Sequence, residues 1–594
     1  MTRIAAGSLR PSDIGKSVSI SGWVQRRRDH GGIAFIDVRD ASGVVQVVAD
    51  PAEHETVADL KMEYCISVTG VVRARPEGTA NPDLPTGGVE VGVDEVVVLA
   101  AADTLPFMID DRVEIDERAR LRYRYLDLRR PRMGANLRAR SRATAAIRRT
   151  LDEQGFLEVE TPTLVNSTPE GARDMLVPSR LRRGEFYALP QSPQLFKQLL
   201  MIAGVERYFQ IARCYRDEDF RADRQLEFTQ LDLEGSFWDR DDVLDTIESV
   251  LVAVVKDLRG VDVTRPFLRL TWQESMDRFG TDKPDMRFGA EIVDLSRVFE
   301  GSGFGVFSDT LDGEGTIRGI NVGPQDWSRG RADAMTERAK ELGGKGLVWM
   351  VAEEDGSLRS PVAKFLDERE LAGVRDGLAA KPGDILLIAA DRWKQAVEIL
   401  GALRNDLLRP TGHDDLSFLW VIDFPLFEEA EDGTITFSHH PFTSPSSLDE
   451  MRDNPTGAVS KAYDAVLNGV ELGSGSVRIH DPEVQRQVFD ILGIDRDTAE
   501  RRFGWFLEAL RYGTPPHAGF AFGIDRLVMV LQGETSIREV IPFPKTQSGV
   551  DPMTGAPTWV DQTQLDELGI GLTEEALGRQ EQPEEGEPLP PAER

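Results

Sequence analysis

Cysteine is almost missing: Cys65 and Cys214 are the only two in 594 residues. They lie far apart in no Cys-x-x-Cys spacing, which excludes a disulfide framework and a thiolate zinc site. No apolar run approaches the roughly 20 residues needed to cross a bilayer. The opening MTRIAAGSLRPSD lacks the apolar centre of a secretory signal, so a cytoplasmic location is expected. Positive charge is in deficit, with 70 Lys and Arg against 101 Asp and Glu and a formal charge of −31. Such a balance speaks against nucleic acid as a partner of the surface at large, because phosphate binding rests on local Lys/Arg density. Two basic clusters break it, Arg26-Arg27-Arg28 and the stretch from Arg118 to Arg142. A solvated charged face is the other reading of each.

What is present is length enough for several domains. Between residues 17 and 102, five short runs rich in β-branched residues are separated by turn signals, which fits a small Greek-key barrel of the OB type. In the second run, Ala34, Ile36 and Val38 alternate with Ile33, Phe35, Asp37 and Arg39, so period two puts Phe35 on the charged face, exposed. Beside Arg26 to Arg28 it suits a base-stacking platform; an ordinary barrel-edge Phe is the alternative. A polar, arginine-rich connector leads to a helix in ANLRARSRATAAIRRTLDEQG, with Leu137, Thr144, Ile147 and Leu151 near one face and Gly155 placed to end it. The strand FLEVETPTL is broken by Pro162. A change of texture between 288 and 413 marks an inserted domain, and the acidic, Pro-rich end from about 576 is too poor in apolar residues to fold alone. The class is multidomain α+β.

Three clusters carry chemistry. In RYFQIARCYRDED and LEFTQLDLEGSF, period two gathers Gln210, Arg216 and Glu218 on one strand face and Phe228, Gln230, Asp232 and Glu234 on the other. Burying such a face without partners is costly, so a polar ligand is expected to cover it. Arginine suits a phosphate or carboxylate, Phe a flat ring, and acids an ammonium group or a metal. A helix-like SKAYDAVLNG leads into VELGSGSVRIH, where Asp464 and Glu471 are two carboxylates able to share a divalent cation, with Arg478 beyond a Gly-rich stretch. In AGFAFGIDRLVMVLQG a glycine-bearing strand runs into an apolar helix with Arg526 at the junction; alone, an Asp-Arg pair there is more often structural.

In order and spacing these segments resemble the signature motifs of class II aminoacyl-tRNA synthetases: FLEVETPTL the first, FQIARCYRDED the second, AFGIDR the third. TPEGARDM, LPQSPQLFKQLLM, RFGTDKPDMRF and HHPFT look like the bacterial aspartyl type, and the resemblance spans nearly the whole chain. It implies an OB-type anticodon-binding domain at 1–105, a hinge at 106–133 and an antiparallel class II catalytic sheet split between 134–287 and 414–560. The inserted α+β domain would occupy 288–413 and a C-terminal extension 561–594, its end unfolded. The implied reaction is ATP-dependent activation of L-aspartate and transfer to the tRNA 3′ end by a homodimer.

The resemblance also implies roles. Arg216 and Arg526 would be catalytic, Arg216 at the α-phosphate and reacting carboxylate, and Arg526 sandwiching adenine with Phe228. Asp217, Glu218, Gln225, Glu471, Gly523, Ile524 and Asp525 would complete the ATP site, with Mg²⁺ on Asp464 and Glu471. For aspartate, Lys197 and Arg478 would pair with the side-chain carboxylate, and Glu170, Ser192, Gln194 and Asp232 would surround the ammonium end, with His439 on a closing segment. Arg28, Phe35, Gln46 and Glu90 would read the anticodon. The anticodons for aspartate and asparagine differ only at the last base, C against U, which present donor and acceptor in opposite order. A neutral imidazole offers either, so His30, with room left by the small Gly78, leads to the expectation that both tRNA(Asp) and tRNA(Asn) are charged, a separate amidotransferase converting the second product. A strictly discriminating enzyme, with His30 merely capping a turn, and a non-catalytic RNA-binding paralogue are the alternatives.

Overall fold

The computed structural model describes residues 2–167, 172–219, 221–412, 415–430 and 432–581. By internal contacts the chain divides into two units, 1–135 with 550–558 and 579–594, and 136–549 with 559–578.

The first unit holds a closed five-stranded barrel of Ser17–His30, Ile33–Asp40, Gly43–Ala49, Cys65–Ala74 and Val89–Ala100, in strand order 1-2-3-5-4. Alternation builds its core: Ala34, Ile36 and Val38 are fully buried. Phe35 points outward but is half-buried rather than exposed, because Arg28 and Val48 flank it on the neighbouring strands. Arg39 is buried as well, donating to both Glu63 oxygens at 2.9 Å. The first two strands join through Gly31 and Gly32, both at positive φ (59° and 82°), the backbone a two-residue hairpin needs.

The arginine-rich connector is not a bare linker. It contains the helices Glu117–Arg122 and Arg124–Asp127, and the fully buried Asp127 receives Arg120 at 3.0 Å, Arg124 at 2.6 Å and Arg130 at 3.3 Å. Arg129 bonds Glu63 at 2.9 Å and lies 4.8 Å over the Trp23 ring. Arg120, Arg124, Arg129 and Arg130 therefore form an internal ion-pair network rather than an RNA-facing cluster, since carboxylates already take these guanidinium groups, whereas Arg118 and Arg138 are exposed.

In the second unit an eight-stranded sheet runs in the order Leu268–Thr271, Phe418–Ile422, Ala462–Leu467, Val470–Val477, His517–Gly523, Glu227–Ser236, Arg207–Tyr215, Leu157–Glu158. It is antiparallel except at its two edge pairs. One face is covered by apolar faces of the helices Pro131–Glu153, Arg240–Arg259 and Ile524–Gln532, around a core that includes Trp420, Tyr463 and Phe520. On the first helix the buried stripe is Ala139, Ala143, Ala146, Ile147 and Leu151, whereas the expected Leu137 and Thr144 are only half-buried. The helical period is as expected and its phase differs, because small alanines let the helix lie close to the sheet.

SKAYDAVLNG is corrected from helix to strand. Asn468 and Gly469, at φ 53° and 76°, make a tight turn between Ala462–Leu467 and Val470–Val477. Tyr463, Ala465 and Leu467 enter the core in period two, which puts Asp464 on the opposite face.

Between 288 and 413 lies a separate five-stranded sheet, Val293–Asp294, Thr316–Pro324, Asp384–Asp391, Val348–Ala352, Leu358–Arg359 in that order. Its last helix, Trp393–Leu408, carries the fully buried Arg404, which donates to the carbonyl oxygens of Asp285, Phe288 and Gly289 and is pushed down to about 10 by burial. A further difference is the helix Glu574–Glu581, which runs into the segment read as unfolded from about 576. Among the described residues no helix is long and apolar enough to cross a membrane.

Candidate functional site

The sheet face turned away from the helices carries the site. Strand Arg207–Tyr215 pairs with Glu227–Ser236 so that Gln210 faces Asp232 and Cys214 faces Phe228. Arg216 sits just past the strand end, its N–H bonding Leu226 O at 2.8 Å, and its guanidinium lies 5.2 Å over the Phe228 ring. A cavity of about 390 Å³ opens here. Its walls include Ser192, Gln194, Lys197, Arg216, Glu218, Gln225, Phe228, Asp232, His439, Glu471, Arg478, Gly523, Asp525 and Arg526.

At one end are four buried charges. Lys197, from the inward face of helix Gln194–Ile202, stands 2.9 Å from Asp232 and 3.2 Å from Glu234. Arg478, just past strand Val470–Val477, grips Glu234 at 2.9 and 3.2 Å. The two cations are thus not bare counter-charges for a substrate carboxylate, as the sequence suggested: each already has an acid. Burial, chiefly, lifts Asp232 to about 6, and the adjacent Glu234 raises it further against the pull of Lys197. Glu234 goes the other way: burial opposes its charge, but Arg478 and Lys197 outweigh it and hold it below its ordinary value. Gly519, opposite Glu234, leaves room for this arrangement, since a Cβ there would come within 1.8 Å of Glu234 Oε2.

At the other end Arg526, in the first turn of helix Ile524–Gln532, donates to Glu471 O at 2.6 Å and lies 3.2 Å from Asp223. Glu218 bonds Arg224 at 2.8 Å, and the Gln225 amide is held by both the N–H and the carbonyl of Lys545. Asp464 is not in the cavity wall; it stands 3.3 Å from His439 Nε2. Burial and the like charge of Asp464 raise Glu471, the situation that a cation relieves. No group of three or more His, Cys, Asp or Glu side chains able to hold a metal occurs among the described residues. Two carboxylates do fit Mg²⁺, which takes one or two from protein and fills its shell with water and phosphate.

Three of the expected nucleotide contacts have side chains engaged within the protein. Ile524 is fully buried in the sheet–helix core. Asp217 is outside the cavity wall and pairs with Arg173 at 3.4 Å. Asp525 borders the cavity, but its oxygens accept from the Thr229 N–H at 2.9 Å and from Arg140, so it braces helix to strand. Glu170 lies outside the described residues. On the barrel, Arg28 bonds Asp37 at 3.2 Å and Gln46 at 3.4 Å, and Gln46 donates to Glu90 at 3.0 Å, so the exposed Arg28 beside Phe35 is tied to two buried polar side chains. Burial lifts Asp37 despite the pull of Arg28, Arg75 and Arg26. His30 is exposed next to the hairpin turn, and Gly78 (φ 80°) is exposed between the last two strands.

Sequence reasoning missed Gln191, Asp223, His440, Ser474 and Ser476 in the cavity wall. Ser474 and Ser476 had a usable signal, the period-two alternation with glycine once that segment is read as a strand. His440 had only its neighbour.

The class II tRNA synthetase family (D, K and N) matches residues 116–547, and the OB-fold nucleic acid binding domain of the tRNA anticodon type matches 18–99. A protein of Moorella thermoacetica named aspartate–tRNA(Asp/Asn) ligase is 52% identical over 577 residues, 96% of each chain. Proteins of the same name from Corynebacterium jeikeium and Thermobifida fusca are 51% and 50% identical, covering 95% and 96% of this chain and 97% and 98% of their own. In fold the chain is similar to the asparaginyl-tRNA synthetase of Pyrococcus horikoshii complexed with asparaginyl-adenylate, with TM-score 0.59, 19% identity, and 92% and 98% of the two chains covered. The Entamoeba histolytica asparaginyl-tRNA synthetase, also with its adenylate, gives TM-score 0.57, 18% identity, and 92% and 98% coverage.

Proposed function

This chain belongs to the class II tRNA synthetases of the D, K and N family, and from that premise we propose that it activates L-aspartate with ATP and transfers it to the 3′ end of both tRNA(Asp) and tRNA(Asn). The observation that carries this reading is a single cavity with two differently equipped ends: Arg216 over Phe228, with Arg526, at one, and Lys197, Asp232 and Arg478 at the other, with Glu234 buried behind the two cations. The first suits a ring and a phosphate chain. The second suits a small zwitterion with a charged side chain. The relatives' shared name supports the choice of aspartate and of two tRNAs.

In the reaction, an α-carboxylate oxygen of aspartate attacks the α-phosphorus of ATP and pyrophosphate leaves. Arg216 neutralises charge building on the α-phosphate, and Arg526 holds the nucleotide. Such positioning and charge neutralisation carry the rate, and no general base is required. Mg²⁺, held by Glu471 with Asp464 behind it, would screen the phosphates. The terminal tRNA hydroxyl then attacks the adenylate carbonyl and AMP leaves. Leu157 in the sheet's edge strand and Leu164 shortly after it are exposed and fit a homodimer surface, and a cytoplasmic location completes the reading.

Pyrophosphate exchange with aspartate, asparagine and lysine tests the first step; exchange with asparagine alone, or with none, sinks the reading. Charging of both purified tRNAs tests the second: a preference of several orders of magnitude for tRNA(Asp) removes the dual specificity. Sedimentation of the active enzyme as a monomer would remove the dimer.

A further inference from the structure

Buried side-chain atoms without a hydrogen-bond partner gather at this cavity: Gln194 Nε2, Arg216 Nε, Asp232 Oδ1, His439 Nδ1 and His440 Nε2. Buried polar groups are otherwise satisfied, so a cluster of orphans marks where a ligand completes the bonding. Four of these residues have roles in the reading above. His440 does not.

The state of its ring follows from its surroundings. The Phe442 N–H points at Nδ1 at 3.4 Å, which makes Nδ1 the acceptor and leaves the proton on Nε2. Burial, with Arg478, Lys197 and Arg216 nearby, drives His440 down to about 3, so the ring is neutral at working pH. His440 is thus a donor of fixed polarity, without charge, in the wall beside the four-charge cluster.

The cluster itself does not choose between aspartate and asparagine. Lys197 and Arg478 offer donors, Asp232 and Glu234 offer acceptors, and two positive and two negative charges cancel. An amide, with one oxygen and one NH₂, finds partners there as readily as a carboxylate. One more donor of fixed polarity tips the choice toward a group that can only accept.

We propose that His440 is a specificity-determining residue of the activation site, whose Nε2–H selects the substrate's side-chain carboxylate over the isosteric amide. This rests on the aspartate reading above. An amide with its oxygen on Lys197 and Arg478 turns its NH₂ to Nε2–H, and the reverse orientation turns its NH₂ to the two cations; each way a buried donor is left unpaired, a loss on the order of ten- to a hundred-fold in binding. A carboxylate pays no such penalty in either orientation.

The test is pyrophosphate exchange by the full-length enzyme, wild type and His440→Gln, with aspartate and with asparagine. Glutamine's amide can turn to present oxygen or NH₂, so the ratio of kcat/KM for aspartate over asparagine should fall at least tenfold, with KM for ATP unchanged. A ratio within twofold of wild type overturns the proposal, as does an equal loss for both substrates. His440→Asn is read in the same way if the glutamine variant does not fold. His440→Phe, which has no donor, should lower the same ratio, by raising KM for aspartate and by removing the unpaired donor that excludes asparagine. If the wild type itself shows no aspartate-dependent exchange, the activation reading fails; if it does and the ratio is unmoved, only the role of His440 fails.

Discussion

Changing Glu234 to Gln removes one charge from the buried cluster with almost no change in volume. Glu234 is fully buried, accepts two bonds from Arg478 at 2.9 and 3.2 Å, and stands 3.2 Å from Lys197. After the change Asp232 alone faces two cations that are 1% and 5% exposed. Breaking a buried pair by removing one partner costs about 3–5 kcal/mol, because the remaining charge is uncompensated. The free enzyme should therefore melt well below wild type. The site's net charge becomes +1, so a ligand bringing a second carboxylate should restore what was lost. Saturating aspartate at 100 times its Kd adds about 2.7 kcal/mol to any folded enzyme that binds it, and the variant should gain more than wild type at equal concentration through a lower Kd. Lys197→Met shifts the balance the other way, to −1, and should lose the aspartate effect. Thermal melts with and without aspartate, paired with calorimetric Kd values, decide. A Glu234→Gln protein that melts like wild type, with an unchanged Kd, would refute the charge balance described here.

Gly519→Ala should mimic part of this loss, since its methyl group would meet Glu234 Oε2 at 1.8 Å and must displace it; a normal KM for aspartate would show that the carboxylate has room to move. Arg526→Ala and Arg216→Ala should each reduce exchange by at least a hundredfold with an unchanged circular dichroism spectrum, since each removes a charge poised for the ligand; normal activation in either would mean the nucleotide end is misplaced. Asp232, raised from 3.8 to about 6, is neutral in the free enzyme below that pH and then loses its pull on a substrate ammonium. KM for aspartate should thus rise as pH falls through 6, and Asp232→Asn should flatten the profile. Its effect on stability has the opposite sign: the folded protein holds a proton that the unfolded chain releases between about 4 and 6, so this group's contribution is greatest in acid and is lost as pH rises through 6.

Local pattern was enough for much of the architecture. Alternation in the run from Ile33 to Asp40 fixes a barrel strand whatever surrounds it, because successive side chains must point to opposite faces. The same rule placed Phe228, Gln230, Asp232 and Glu234 together, and the geometry gathers all but Glu234 into the wall of one cavity. Where the sequence misled, the deciding interaction was distant. SKAYDAVLNG reads as a helix until strands on both sides offer backbone partners and Asn468-Gly469 closes the turn. The arginines after residue 118 look free until Asp127 and Glu63 are brought to them. Lys197 and Arg478 look like unpaired cations awaiting a carboxylate, yet residues 35 and 244 positions away, Asp232 and Glu234, already balance them. Residue order determines which side chains share a strand face or a helix stripe. Which charges meet, and so which remain for a ligand, is settled only when long-range pairing sets the sheet register and burial makes each unpaired charge costly.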